Sequence, residues 1–347
     1  MRKLASIQRI WKIEPIEGAD KIELAHVLGW QCVVNKGQFQ PMDLAVYFEI
    51  DCFLPIRPEF EFLRASSYHN TNVMGEGFRL KTMRFRGQIS QGLLLPASLF
   101  PEIAANISLG QDVTEALHIQ KWAIEEKATT GGTVIGTLPI DVPHTDETRV
   151  QAEPDLIKEF TGLEYYISTK MDGSSHSISL DEDGFHVTGH NYEYKDDGKS
   201  SFYEYVKREG IEDKLRKYCS DHGVRILTIQ GELCAPGIQQ NRLKLLKPEW
   251  YVFTVRIDGR RIGLSKMREI CSILELQTVP IEEVGFDLPS HYPTVETLLN
   301  RADGEYPRGG RKEGIVIRPV EPVFSERISA SLSMKVVNNK YLLGNAD

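Results

Sequence analysis

A chain of 347 residues exceeds what one hydrophobic core usually organises, so two domains are expected. Its 41% hydrophobic and 9% aromatic content is ample for globular cores. With 41 Lys and Arg against 49 Asp and Glu, the net charge of −8 argues against a histone-like, broadly basic nucleic-acid binder, while a local basic groove stays open.

Residues 1–118 read as a first domain of short strands: Ala25 to Leu28, Gln31 to Val34, Leu44 to Phe48 and Gly92 to Leu95. Gly18, Gly29, Gly37, Pro41 and Pro55 punctuate them. This spacing suits a small closed β-barrel. The segment order, with Pro15 to Ile22 ahead of the first paired strands, resembles the OB-fold modules appended to tRNA-handling proteins. The run Phe78 to Arg86 mixes four basic residues with two aromatics. It reads either as an exposed strand that follows a phosphate backbone while rings stack on bases, or as an edge strand whose charges prevent aggregation.

Residues 119–144 read as a linker, because Ala128 to Thr133 is small and polar and Pro139 and Pro143 break any helix. From Thr145 to Gln151 a helix start is expected, with Thr145 as N-cap and acidic residues in the first turn, opening a second domain over 145–347. There, strands are predicted at Glu164 to Thr169, His176 to Leu180, His186 to Thr188, Val224 to Gln230 and Trp250 to Ile257, with a helix from Tyr203 to Ser220. The fold class is therefore α+β: an N-terminal OB-like barrel followed by an α+β domain on antiparallel sheets.

The five cysteines are widely spaced, with no Cys-x-x-Cys pair and no histidine at zinc spacing, so reduced core residues are expected. No apolar stretch approaches ~18 residues, and the reading is an intracellular, soluble protein, cytoplasmic by preference and without a membrane partner.

The chemistry centres on Lys170-Met171-Asp172-Gly173-Ser174-Ser175, which follows the apolar stretch Leu163 to Ile167. A lysine with an unperturbed pKa near ~10.4 is charged at neutral pH and needs activation before it can attack. Beside apolar strands, with a carboxylate two residues on, Lys170 fits a covalent nucleophile toward phosphorus. Asp-Gly is equally the preferred pair of a surface turn. Four clusters follow in order: Gln230-Gly231-Glu232-Leu233; the strand Trp250 to Val255, whose Tyr251, Phe253 and Val255 are expected on one face; Glu313-Gly314-Ile315-Val316-Ile317-Arg318; and Ser333 to Tyr341 with Lys335 and Lys340. Each alone reads as strand-end charge or core ring. Five such clusters in one order are more simply explained by one shared cause.

Taken together, Lys-x-Asp-Gly, Gly-Glu, an aromatic strand, Glu-Gly-Ile-Val and a C-terminal Lys strand resemble the covalent nucleotidyltransferase superfamily of ATP-dependent ligases and capping enzymes. With the barrel in front, the chain resembles the RNA ligases of the Deinococcus and Naegleria type. The segment Thr145 to Gln151 resembles the stretch that precedes the nucleophile in such ligases.

The resemblance implies ATP and Mg²⁺ or Mn²⁺ as cofactors. Lys170 forms a lysine-adenylate, AMP moves to an RNA 5′-phosphate, and a 3′-OH displaces it. Asp172, Glu232 and Glu313 are expected at hydrated metal ions, with Glu232 also at the ribose. Phe253 and Tyr251 are expected on adenine, Lys335 and Lys340 at the α-phosphate, and Arg149 on a phosphate.

Two positions depart from the pattern. Val337 stands where many of these ligases have a second lysine, so that either Lys335 suffices or Lys340 reaches in from the same strand region. Gly189-His190-Asn191 replaces a common Ser-Arg-Asn, making His190 a phosphate ligand only when protonated. The implied partner is RNA, or an RNA-containing duplex, with 5′-phosphate and 3′-OH ends. The alternatives are a DNA-preferring or mixed polynucleotide ligase, and a non-catalytic RNA-binding protein.

Overall fold

The computed structural model describes residues 3–104, 107–123 and 132–344; the small polar run at 128–131 lies outside the described residues. The chain divides into two compact units. One comprises residues 1–126, 151–154 and 342–347, and the other comprises 127–150 and 155–341.

In the first unit, one long strand, Ala5–Pro15, serves two neighbours. Its first half pairs with Leu44–Phe48 and its second half with Ile22–Val27, with a bulge between Ile10 and Lys12 where the partner changes. A bulge adds local twist, which bends the strand. The result is a curled five-stranded half-barrel with Leu93–Pro96 at one edge and Trp30–Asn35 at the other. Phe48, Phe60 and Phe100 fill part of its core with centroids 5.4–5.8 Å apart, in edge-on and tilted pairs that suit ring quadrupoles.

The run Phe78 to Arg86 is two strands, Gly75–Arg79 and Thr82–Phe85. Phe78 and Leu80 are buried in the core, and the Arg79 guanidinium lies 4.8 Å from the Trp122 ring. Only the second hairpin, with Arg84, Phe85 and Arg86, keeps charge and a ring exposed together.

The second unit is built on two sheets. An eight-stranded sheet runs Val134–Thr137, Tyr192–Tyr194, Phe185–Thr188, Ser174–Leu180, Leu227–Cys234, Glu249–Ile257, Arg260–Arg261, with Gln277–Thr278 added parallel to Glu249–Ile257. A five-stranded sheet runs Thr148–Arg149, Met334–Val337, Gly314–Pro319, Glu164–Lys170, Ile281–Phe286. Both are antiparallel except at short edge pairings, and helices cover their outer faces over separate hydrophobic cores.

Three sequence expectations change here. The segment at Thr145 is extended rather than helical: Thr148–Arg149 pairs in parallel with Met334–Lys335, and the Thr145 hydroxyl bonds Ser175 at 2.9 Å instead of capping a helix. The helix expected from Tyr203 to Ser220 is two, Ser201–Arg208 and Ile211–His222, because Gly210 sits in the left-handed region at φ 60°. The strand expected at Val224 to Gln230 runs Leu227–Cys234 and so carries Glu232 inside it. All five cysteines are buried thiols outside any disulfide, and among the described residues no helix is long and apolar enough to cross a membrane.

Candidate active site

Lys170 ends its strand opposite Gly314, the last rung of an antiparallel ladder with Gly314–Pro319. Beyond that rung the two chains part, and the side chains of Lys170 and Glu313 meet in a 2.8 Å ion pair, both largely shielded. Burial by itself pulls the Lys170 pKa down. The charges of Glu313, Glu232 and Asp172 outweigh it and leave the pKa above the ordinary lysine value.

Glu232 comes from the other sheet, opposite both Ser175 and Tyr251. Burial, reinforced by Glu313 and Asp172 and opposed by Lys170, pushes its pKa up to about 8. Gly173 makes this approach feasible, since a Cβ there would lie 2.5 Å from the Leu233 carbonyl and 3.0 Å from the Glu232 side chain.

Asp172 is buried and already engaged. Arg242 donates to one carboxylate oxygen at 2.9 Å and the Tyr341 hydroxyl to the other at 2.8 Å, while the guanidinium lies over the Tyr341 ring at 4.5 Å. Among the described residues, no group of His, Cys, Asp or Glu is gathered tightly enough to ligate a metal directly. Three hard carboxylates around one lysine nevertheless fit a divalent cation that keeps its water shell.

The cations share the other side of the site. In register, Ser168 faces Val316 and Val316 faces Lys335, which places Lys335 on the same sheet face as Lys170, and the parallel edge pairing sets Arg149 beside Lys335. Val337 occupies the row of Gly314 and Lys170 and is buried. Lys340 is a correction: the strand ends at Val337, and Lys340 lies in the following helix, Asn339–Gly344, with its exposed ammonium paired to Asp303. His190 faces Asp146 at 3.4 Å and packs near His144, and Asn191 is exposed beside it.

The aromatic strand also departs from simple alternation. Gln230 pairs with Thr254 and Gly231 with Val252, so Phe253 is the extra residue of a β-bulge. The bulge turns Val255 into the outer core together with Val252, and Tyr251 and Phe253 pack toward Met171 instead; the expected three-residue face is therefore two residues. Arg318 lies 5.5 Å from the Phe253 ring and forms a buried ion pair with Glu147. Despite the cost of burial, each partner holds the other charged: the Arg318 pKa is raised and that of Glu147 lowered. Tyr251 lines a cavity of about 340 Å³ with Thr169 and Met171, the two neighbours of Lys170.

Sequence reasoning missed the residues that hold these groups: Arg242, Tyr341, Arg318, Glu147, Tyr306, Glu282 and Lys312. Arg318, Tyr341 and Glu147 lie inside segments the sequence singles out, without a sign of these contacts; nothing local marks the other four, and Arg242 reaches Asp172 and Tyr306 reaches Lys170 from far along the chain.

The RNA ligase family model matches residues 163–337, and an OB-fold domain model matches residues 4–97. The chain belongs to the RNA ligase family. Among solved structures it is similar to the Naegleria gruberi RNA ligase with pyrophosphate, at 32% identity and TM-score 0.87 over 99% of this chain and 98% of that one. Mutant forms of the same Naegleria enzyme also match over 98% of both chains. One with AMP and Mn gives 31% identity and TM-score 0.88, and one with ATP and Mn gives 32% and 0.87. Among curated protein sequences the comparison finds no match.

Proposed function

We propose that this RNA ligase uses ATP to seal breaks between a 3′-OH and a 5′-phosphate, with RNA as the 3′-OH strand of a nicked duplex, as a step of RNA repair. The observation that carries the reading is the Lys170–Glu313 pair at the parting of the ladder, with the Glu232 and Asp172 carboxyl groups gathered around the same amine.

The Lys170 amine attacks the α-phosphorus of ATP, the N–P bond forms, the bond to the β-phosphate breaks and pyrophosphate leaves. An RNA 5′-phosphate oxygen then attacks the adenylate phosphorus and frees Lys170. Finally the 3′-OH attacks the activated 5′-phosphate and AMP departs. Before the first attack Lys170 must shed a proton, and in the resting site its neighbouring carboxylates hold that proton on. Asp172, Glu232 and Glu313 would hold a hydrated divalent cation, which would supply opposing charge that favours a neutral amine and screens the phosphates.

Arg149 and Lys335, side by side, face the charge that gathers on the α-phosphate, with the planar guanidinium suited to two oxygens at once. Phe253 and Tyr251 take the base, the latter from the wall of the cavity next to Lys170.

The test is incubation with α-labelled ATP and Mg²⁺ or Mn²⁺, resolved on a denaturing gel beside Lys170→Ala. A band that pyrophosphate reverses and the variant lacks is expected. Absence of label with either metal, in protein whose mass shows no prior adenylate, overturns the reading. Matched nicks differing only in the sugar of the 3′-OH strand then separate RNA preference from DNA or mixed use.

A further inference from the structure

The ladder that carries Lys170 stops at Gly314, so main-chain pairing between these two strands does not itself hold the Lys170 and Glu313 side chains together. Two side chains outside the sequence motifs do so.

Tyr306, fully inside the unit, donates its hydroxyl to the Lys170 carbonyl at 2.8 Å and accepts the Glu313 backbone N–H at 3.2 Å. One oxygen thus touches the backbone of both reacting-site residues. Glu282 does the same for their preceding neighbours. Its carboxylate accepts the Thr169 hydroxyl at 2.7 Å and the buried Lys312 ammonium at 2.9 and 3.0 Å, and Arg301 donates to it at 2.7 Å from behind.

The placement of Glu282 has a backbone cause. In the pairing of Ile281–Phe286 with Glu164–Lys170, Ile167 faces Glu283 and Ser168 faces Ile281, which leaves Glu282 as the extra residue of a β-bulge. A bulge re-aims the side chain it carries, here onto Thr169 and Lys312. Against the effect of burial, three donors on one carboxylate hold the Glu282 pKa below the usual carboxylate range and keep the group charged.

We infer that Glu282 and Tyr306 are positioning residues for lysine adenylation: a two-point clamp that acts through the backbone and neighbours of Lys170 and Glu313 to set the Lys170 amine against Glu313 and toward the α-phosphate. The inference rests on the ligase reading above. A misplacement of about 1 Å at a reacting group costs on the order of 10²-fold in rate while leaving ground-state binding largely intact.

The experiment is single-turnover adenylation of the full chain with α-labelled ATP and Mn²⁺ for wild type, Tyr306→Phe, Glu282→Gln and the double variant. Rate constant and ATP half-saturation are read separately, and the melting temperature of each protein is measured. Expected are rate constants lowered by roughly 10- to 100-fold, with half-saturation near the wild-type value and melting above the assay temperature. Tyr306→Phe removes only an oxygen and keeps the test available where Glu282→Gln fails to fold. Wild-type rate constants in labelled, folded variants overturn the clamp, and so does a loss that appears only as weaker ATP binding or unfolding. No label in the wild-type protein overturns the ligase reading instead.

Discussion

The five-stranded sheet presents Lys170, Lys335 and Arg149 along neighbouring strands, whereas the eight-stranded sheet presents Glu232, Tyr251 and Phe253 from one pair of strands. The cations come from one side, and the two rings and a buried carboxylate from the other; Glu313 and Glu282 carry acid on the cationic side, each beside a lysine. The difference teaches that each sheet makes half a site. Register within a sheet fixes which groups stand together, and a bulge in each sheet resets it: the one at Glu282 aims its carboxylate onto Thr169 and Lys312, and the one at Phe253 turns Val255 away from the ring-bearing face.

The largest expected effect comes from breaking the cationic half at its centre. Lys170→Ala should abolish all label transfer from ATP, because no other group forms the adenylate; the gel described above checks it. Lys335→Ala should lower the adenylation rate constant by about 10²- to 10³-fold through lost transition-state charge stabilisation, measured in single turnover. On the opposite sheet, Phe253→Ala should act on binding more than on rate, weakening ATP binding by about 1–3 kcal/mol as read by titration of the Lys170→Ala background.

Glu232 sharpens the contrast through pH. Its folded-state pKa, near 8, lies above the ordinary 4.5, so the folded metal-free protein holds a proton that the unfolded chain has lost. Stability should therefore fall as pH rises from about 4.5 through about 8, and Glu232→Gln should flatten that part of the profile. Thermal melts across this window without metal provide the measurement. The smallest effect is expected at Lys340→Ala, which removes a solvent-exposed pair with Asp303 worth about 0–1 kcal/mol and should leave adenylation at the wild-type rate. A large loss there would return Lys340 to the cationic half.

The residues that the structure gathers around Lys170 were legible because their types and order along the chain are local signals: Lys170 with Asp172, Glu232 after a glycine, Glu313 before one. What supports them was not. Tyr306 and Glu282 act on strands that meet them only in three dimensions, and a bulge shifts a side chain's face without changing which residues stand next to it in sequence. The same blindness misplaced Val255 on the ring-bearing face and put Lys340 on a strand that ends before it. The basic and aromatic run Phe78 to Arg86 shows the converse, since composition alone does not reveal that Phe78 and Leu80 belong to the core.

The strand order of the five-stranded sheet carries a kinetic consequence. Met334–Val337 lies between Thr148–Arg149 and Gly314–Pro319, so one of the latest segments of the unit to be synthesised pairs on one side with a near neighbour and on the other with one of the earliest, Thr148–Arg149. Contacts this distant close slowly and reward the chain only when all are made. Nucleotide capture should then appear late and all at once during refolding, which makes ATP labelling a reporter of completed topology rather than of secondary structure.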